Sequence, residues 1–472
     1  MTFHDSVLAS LLSTADEHGE RPALTFLGRD ERTRWTFAEL ALRARQVATR
    51  LTEAGACGER VLLVCPSSAE YAPVFYGCML AGALPVPVYL PSLAHFRSAW
   101  SKIASIARDS GAAYAIAPEP LPDADALAAL PGFRGWLHFA DLFLGDAADH
   151  WRLPAPGDLA FLQYTSGSTG DPKGVMVTHG GLTHNARAVA AAVGATHETT
   201  TVSWLPLYHD MGIIGSLLSP LLWGAHVVKM SPQTFAARPF AWLRAISEHG
   251  GQLCYAPNFA YELCARKVTD AEIATLDLSG WRVAINGAEP LRRDTLRRFA
   301  ERFAPAGFDA ASLHVGYGMA EATLVVSTGP LSVADPGVRV GERHYVRCGT
   351  PLDDTVVAIA DPDTGLAREP GEVGEVWVSG PSVAAGYWQR PDATAETFHA
   401  RLPGRQENFL RTGDLGVLDG DGVVIVGRHK ASAEELGRVR EKILAPVVQQ
   451  RQPGPGTGLP DRRGHRLQGR GG

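Results

Sequence analysis

Tyr164-Thr-Ser-Gly-Ser-Thr-Gly-Asp-Pro-Lys-Gly174 is the stretch that decides how this 472-residue chain is read. It follows an apolar run, DLAFLQY (158–164), with the pattern of a buried strand. A strand therefore feeds a loop of glycines, hydroxyl residues and one lysine. Glycines let backbone N–H groups turn toward an anion, and hydroxyls and an ammonium add donors, so the loop suits a polyphosphate. It is not a Walker A loop, because Pro172 precedes Lys173 and Gly174 follows it.

On both sides of this loop the chain alternates strands and helices. ERVLLVC (59–65) reads as a strand. A helix with one inner face follows through Tyr71, Val74, Phe75, Cys78 and Met79, and then LPVPVYL (84–90), whose prolines predict an edge strand. Beyond the loop come a helix near 181–193, a strand TVSWL (201–205), an apolar helix MGIIGSLLSPLLWG and a strand AHVVKM (225–230). WRVAIN (281–286) then leads through GAEP to the amphipathic helix LRRDTLRRFAERF. Such βαβ alternation predicts an α/β fold with mostly parallel, doubly wound sheets in two subdomains. After about residue 335, short strands separated by Gly, Asp and Pro turns predict a small β-barrel-like subdomain.

Composition narrows the class. Lys plus Arg is 44 and Asp plus Glu is 50, giving a net charge of −6, which argues against a general nucleic-acid binder. No apolar run is long enough for an integral membrane span, and the N-terminus lacks the pattern of a signal peptide, so a cytoplasmic protein is expected. The six cysteines form no CxxC pair and read as reduced thiols. Charge is uneven: residues 431–472 hold eight basic and four acidic side chains, and the remaining 430 residues carry −10. That basic end is rich in Gly, Pro and Arg and has the composition of a disordered segment.

The loop resembles the phosphate loop of the adenylate-forming superfamily, the AMP-dependent synthetases and ligases. Further strings resemble that superfamily's motifs in order: SWLPLYHDMGIIG (203–215), INGAEP (285–290), GYGMAEAT (316–323), GEVWVSGPSVAAGYW (374–388), RTGDLG (411–416) and GRHK (427–430). LPLYHDMGIIG, APNFAYELC (256–264), FAERFAPAGF (299–308) and Ala320 before Glu321 are most similar to fatty acyl-AMP ligases. The resemblance implies the large domain of an adenylate-forming enzyme over residues 1–430. It also implies that ATP and Mg²⁺ activate a fatty acid to acyl-AMP, with transfer to the phosphopantetheine arm of an acyl carrier protein in lipid, polyketide or lipopeptide biosynthesis.

Carried onto this sequence, it assigns Lys173 with Thr165, Ser166, Gly167, Ser168, Thr169 and Gly170 to the β and γ phosphates. Gly287, Ala288 and Glu289 border the base, and Tyr317 stacks on it beside Gly318, Met319 and Ala320. Glu321 is the Mg²⁺ ligand, Asp414 takes the ribose hydroxyls, and Arg428 contacts ribose or phosphate. His209 gates and orients the carboxylate, with Asp210 beside it. Met211, Ile214, Phe259 and Tyr261 are expected along the acyl tunnel.

Two departures stand out. The stretch 324–347 is short where acyl-AMP ligases carry an insertion, which keeps a long-chain acyl-CoA synthetase open as an alternative. Resemblance also stops at Lys430, with Ala431 where the family's hinge has aspartate. The tail 431–472 stands in place of the expected lid domain and reads like a shifted reading frame. That leaves a non-catalytic nucleotide- or acyl-binding protein as a second alternative.

Overall fold

A computed structural model describes residues 4–28, 31–90, 96–118, 125–148, 151–166 and 172–428. Its largest element is a nine-stranded sheet. From one edge the strands run Thr350–Pro351, Val325–Pro330, Leu313–Gly318, Val283–Asn286, Leu253–Ala256, Thr200–Ser203, His226–Met230, Pro22–Leu27 and Arg32–Thr36. The six strands from Leu313–Gly318 to Pro22–Leu27 are parallel, and antiparallel strands close both ends. A second, four-stranded sheet is parallel throughout, in the order Leu84–Tyr89, Arg60–Cys65, Tyr114–Ala117, Gly135–His138. The alternation in the sequence thus forms two parallel sheets. Pro85 and Pro87 lie on an edge strand of the smaller one, where a missing N–H costs no ladder bond.

The helix Tyr71–Leu80 corrects the expectation of a single inner face. All ten of its residues are buried, because it lies beneath the capped helix Phe37–Glu53 as well as against its own sheet. Thr36 and Glu39 set the start of the outer helix with reciprocal side-chain-to-backbone bonds of 3.2 and 2.8 Å.

The run 158–178 also differs from the expected strand, loop and helix. Leu159–Ser166 pairs antiparallel with a second strand, Pro172–Thr178, in a register that sets Thr165 opposite Lys173. The glycine-rich string is therefore flanked by two paired strands, and the helix His179–Val193 begins only after the second strand. Thr178 caps that helix by accepting from Gly181 N at 3.0 Å. Glycines and short polar residues hid the second strand, since apolar residues return only at Val175, Met176 and Val177.

Beyond residue 335, the small β part is a four-stranded antiparallel sheet, Val356–Ala360, Gly374–Ser379, Leu410–Asp419, Gly422–Arg428, with a ribbon of Val338–Val340 and Arg343–Tyr345. The largest core runs from Val7 to Val423, and a small separate one packs Ala360, Trp377, Leu402 and Phe409 against the antiparallel sheet. A second core fills the other face of the four-stranded parallel sheet around Leu62, Trp100, Ile103 and Leu162.

Candidate active site

The site forms where the phosphate hairpin, the C-terminal ends of the large sheet and the small antiparallel sheet meet. The hairpin is held from both sides. Residues 385–388 run along its second strand: Met176 N donates to Gly386 O at 2.9 Å, Ala385 N to Met176 O at 3.0 Å, and Trp388 N to Gly174 O at 2.8 Å. Gly174 has no room for a side chain, because a Cβ there would come within 2.9 Å of the Tyr164 ring. Near the far end of the hairpin, Tyr164 donates its hydroxyl to Asp109 at 2.7 Å, and Arg390 donates to the other oxygen of Asp109 at 2.6 Å. Asp109 thus ties the first hairpin strand to the segment 385–390 that packs along the second. Burial first, and then the Asp109 carboxylate, push the Tyr164 phenol upward, so it stays a donor.

Lys173 points over the ring of Tyr387, with Nζ 4.7 Å from the centroid. The hydroxyl of the same tyrosine donates to Glu321 Oε1 at 3.0 Å. Glu321 sits on a short 3₁₀ turn, Ala320–Ala322, just past the strand Leu313–Gly318. Its carboxyl is raised above the usual range, chiefly by burial; Asp210 pushes it the same way, while Tyr387 and Arg428 favour the charged form. Glu321 is therefore a half-buried acid whose charged form burial opposes more than its neighbours favour it. Among the described residues, no group of three or more metal-ligating side chains gathers. A cation here would rely on Glu321 and on oxygens from a phosphate, which is how Mg²⁺ is commonly held. The donor set fits.

Asp414 lies on the inner strand Leu410–Asp419 and is 5 % exposed. It accepts from the Tyr317 hydroxyl at 2.9 Å and from Arg428 Nε at 2.6 Å. Asp414 and Arg428 are register partners on adjacent strands, so the sheet itself sets this pair. The turn after Val283–Asn286, close to the backbone of Gly316, carries Gly287, Ala288 and Glu289. Ala288 has φ +67°, a left-handed conformation that costs a non-glycine residue energy and that clusters at ligand sites. Glu289 Oε1 accepts from Phe259 N at 2.5 Å. Gly318, Met319 and Ala320 join Tyr317 to Glu321 along one continuous turn.

His209 stands 2.7 Å from Asp210, between Nδ1 and Oδ1. Both precede Met211–Leu218, which is wound as a π-helix, a form often found at functional sites. Met211 and Ile214 are buried in that helix, and Phe259 packs edge-on against Trp204 at 5.9 Å. Tyr261 is placed differently. It packs against Trp242, Trp281 and Phe299 in the aromatic core, and its hydroxyl reaches Ile285 O at 3.4 Å, so packing accounts for it.

Thr165 and Ser166 lie on the described strand, where the Ser166 backbone pairs with Pro172. Gly167, Ser168, Thr169 and Gly170 fall outside the described residues, as do Lys430, Ala431 and the whole tail 431–472. Sequence reasoning assigned no role to Tyr387, although it bridges Lys173 and Glu321. The available signal was its place in the quoted string 374–388. Asp109 and Arg390 gave no signal, being isolated charges in ordinary segments.

A buried aspartate paired with an arginine, a half-buried glutamate and a lysine on the hairpin meet where the resemblance to adenylate-forming enzymes expects them. The chain belongs to the AMP-binding enzyme family, whose model matches residues 11–388. It is 35% identical over 455 residues to the medium-chain-fatty-acid–[acyl-carrier-protein] ligase JamA of Moorena producens, covering 90% of this chain and 77% of that protein. It is likewise 35% identical to the long-chain-fatty-acid–AMP ligase FadD26 of Mycobacterium marinum, over 91% of this chain and 80% of the relative. Among solved structures it superimposes on the fatty acyl-adenylate ligase of L. pneumophila, crystallised with acyl adenylate and pyrophosphate. The TM-score is 0.82 at 31% identity, covering 93% of this chain and 79% of that one.

Proposed function

We propose that this protein activates a fatty acid with ATP, forming acyl-AMP and releasing pyrophosphate, and hands the acyl group to the phosphopantetheine thiol of an acyl carrier protein. One observation carries the reading. Lys173, Glu321 and the Asp414–Arg428 pair, from three regions far apart in sequence, are linked around Tyr387 and Tyr317. The carrier-protein acceptor is supported by the likeness to the JamA ligase. The six free thiols suit a reducing, cytoplasmic setting.

The reaction brings two anions together, so the site must neutralise and align. Lys173 and the hydroxyls of the hairpin turn would take the β and γ phosphates. Asp414, with two acceptor oxygens, would take both ribose hydroxyls while Tyr317 and Arg428 fix its orientation. His209 would orient the fatty acid carboxylate toward the α-phosphorus. Glu321 would hold Mg²⁺, which offsets charge on the phosphates. The apolar side chains of Met211, Ile214 and Phe259 would line the start of the acyl path.

The direct test is acyl-AMP formation, trapped as hydroxamate, with fatty acids of graded length. Turnover is expected in the parent protein, and Lys173→Ala and Asp414→Ala should each lower it by at least tenfold, the size of one or two lost charge-assisted hydrogen bonds of about 1.5–3 kcal/mol. ATP binding without any acyl-AMP would instead favour the binding-protein alternative. A preference for free CoA over a carrier protein as acceptor would favour the acyl-CoA synthetase.

A further inference from the structure

The strand His226–Met230 carries a lysine, Lys229, that is 1 % exposed and belongs to no expected motif role. It has no carboxylate hydrogen-bonded to it among the described residues. Its ammonium donates to Leu205 O at 3.1 Å, to Ser216 Oγ at 2.8 Å and to Ser203 Oγ at 3.4 Å. These acceptors flank the turn that presents His209. Ser203 ends the preceding strand, Leu205 opens the turn, and Ser216 lies on the π-helix that follows it.

The connection continues beyond the lysine. Ser216 Oγ donates to Gly212 O at 2.6 Å, and the amides of Gly212 and Ile213 donate to His209 O at 2.9 and 2.8 Å. Backbone crosses backbone here: a Cβ at Gly212 would fall 1.9 Å from Pro206 O, so only glycine fits. Two other buried groups grip the same turn, Tyr71 through Leu207 O at 3.2 Å and Gln163 through Tyr208 O at 3.0 Å. Gln163 lies three residues before the polyphosphate hairpin turn, on its first strand.

We infer that Lys229 is a positioning residue: through Leu205 and Ser216 it closes both ends of the turn 205–216 and so fixes His209 for the fatty acid carboxylate. This rests on the reading of His209 given under the proposed function. Burial alone supplies a reason to exclude a lysine here. It lowers the group to about 7, so the side chain weakens the fold unless what it holds is needed. An apolar side chain of the same length would fill the space without that penalty.

The test uses Lys229→Met and, independently, Ser216→Ala in the full chain. The probes are AMP alone and a non-hydrolysable acyl-sulfamoyl adenosine, both titrated calorimetrically. The parent protein should bind both. In each variant AMP affinity should be unchanged, acyl-sulfamoyl adenosine affinity should fall roughly tenfold, and the Gly212 and Ile213 amides should exchange faster with solvent. A general loss of packing would weaken both probes together. The inference is overturned if both variants bind the acyl probe as the parent does, or if AMP and acyl probe weaken equally. Failure of the parent to bind the acyl probe would overturn the proposed function itself.

Discussion

Single residues decide how charge is handled in this site. Tyr387 does two things at once: its ring faces the Lys173 ammonium and its hydroxyl supports the Glu321 carboxylate. Replacing it with phenylalanine separates the two. The ring contact stays, but Glu321 loses a donor that favours its charged form. A hydrogen bond to a charged group is worth about 1.5–3 kcal/mol. Tyr387→Phe should therefore raise the Mg²⁺ concentration needed for half-maximal pyrophosphate release by roughly tenfold, while Mg²⁺-free nucleotide binding changes little. Asp414 and Glu321 were legible in the sequence because each sits in a short string whose neighbours constrain it. Tyr387, Asp109 and Lys229 were not, because their roles come from partners 66, 55 and 24 positions away.

At the scale of elements, the important one is the hairpin Leu159–Ser166 with Pro172–Thr178. Its two strands flank the string proposed to bind phosphate, so how firmly they are held matters more than their intrinsic stability. Asp109 holds it through Tyr164 and Arg390. The Asp109 and Arg390 side chains are 21 and 35 % exposed, so the ion pair itself contributes about 1 kcal/mol at most. Asp109→Ala should lower unfolding stability by about 1–2 kcal/mol in urea titrations once the Tyr164 bond is counted. It should also weaken binding of a non-hydrolysable ATP analogue several-fold, with the fatty acid side unaffected. Strand and helix alternation made both parallel sheets readable. The hairpin's second strand was not, since PKGVMVT shows apolar residues only in its latter half. The all-round burial of Tyr71–Leu80 was missed for a related reason: periodicity reports one covered face and cannot see a second layer.

At the scale of the whole molecule, stability should carry the mark of Lys229. Its proton is bound below about pH 7 in the folded protein, against about 10.5 when exposed. Between those values the unfolded chain holds a proton that the native state lacks, so this group makes stability rise with pH across that window. Lys229→Met removes that part of the slope. The stability difference between variant and parent should therefore be greatest near pH 7 and should shrink toward pH 10, as read from urea midpoints at several pH values.

The way the large sheet is assembled also bears on how the protein is made. Pro22–Leu27 leaves the ribosome early, yet its parallel partner His226–Met230 lies about two hundred residues downstream. At roughly 5–20 residues per second, synthesis leaves that strand with only its hairpin neighbour Arg32–Thr36, and without its parallel partner, for some tens of seconds. Contacts this distant in sequence close slowly. Newborn chains should thus pass through a long interval with an open apolar edge, and the yield of native protein will depend on chaperones that shield it.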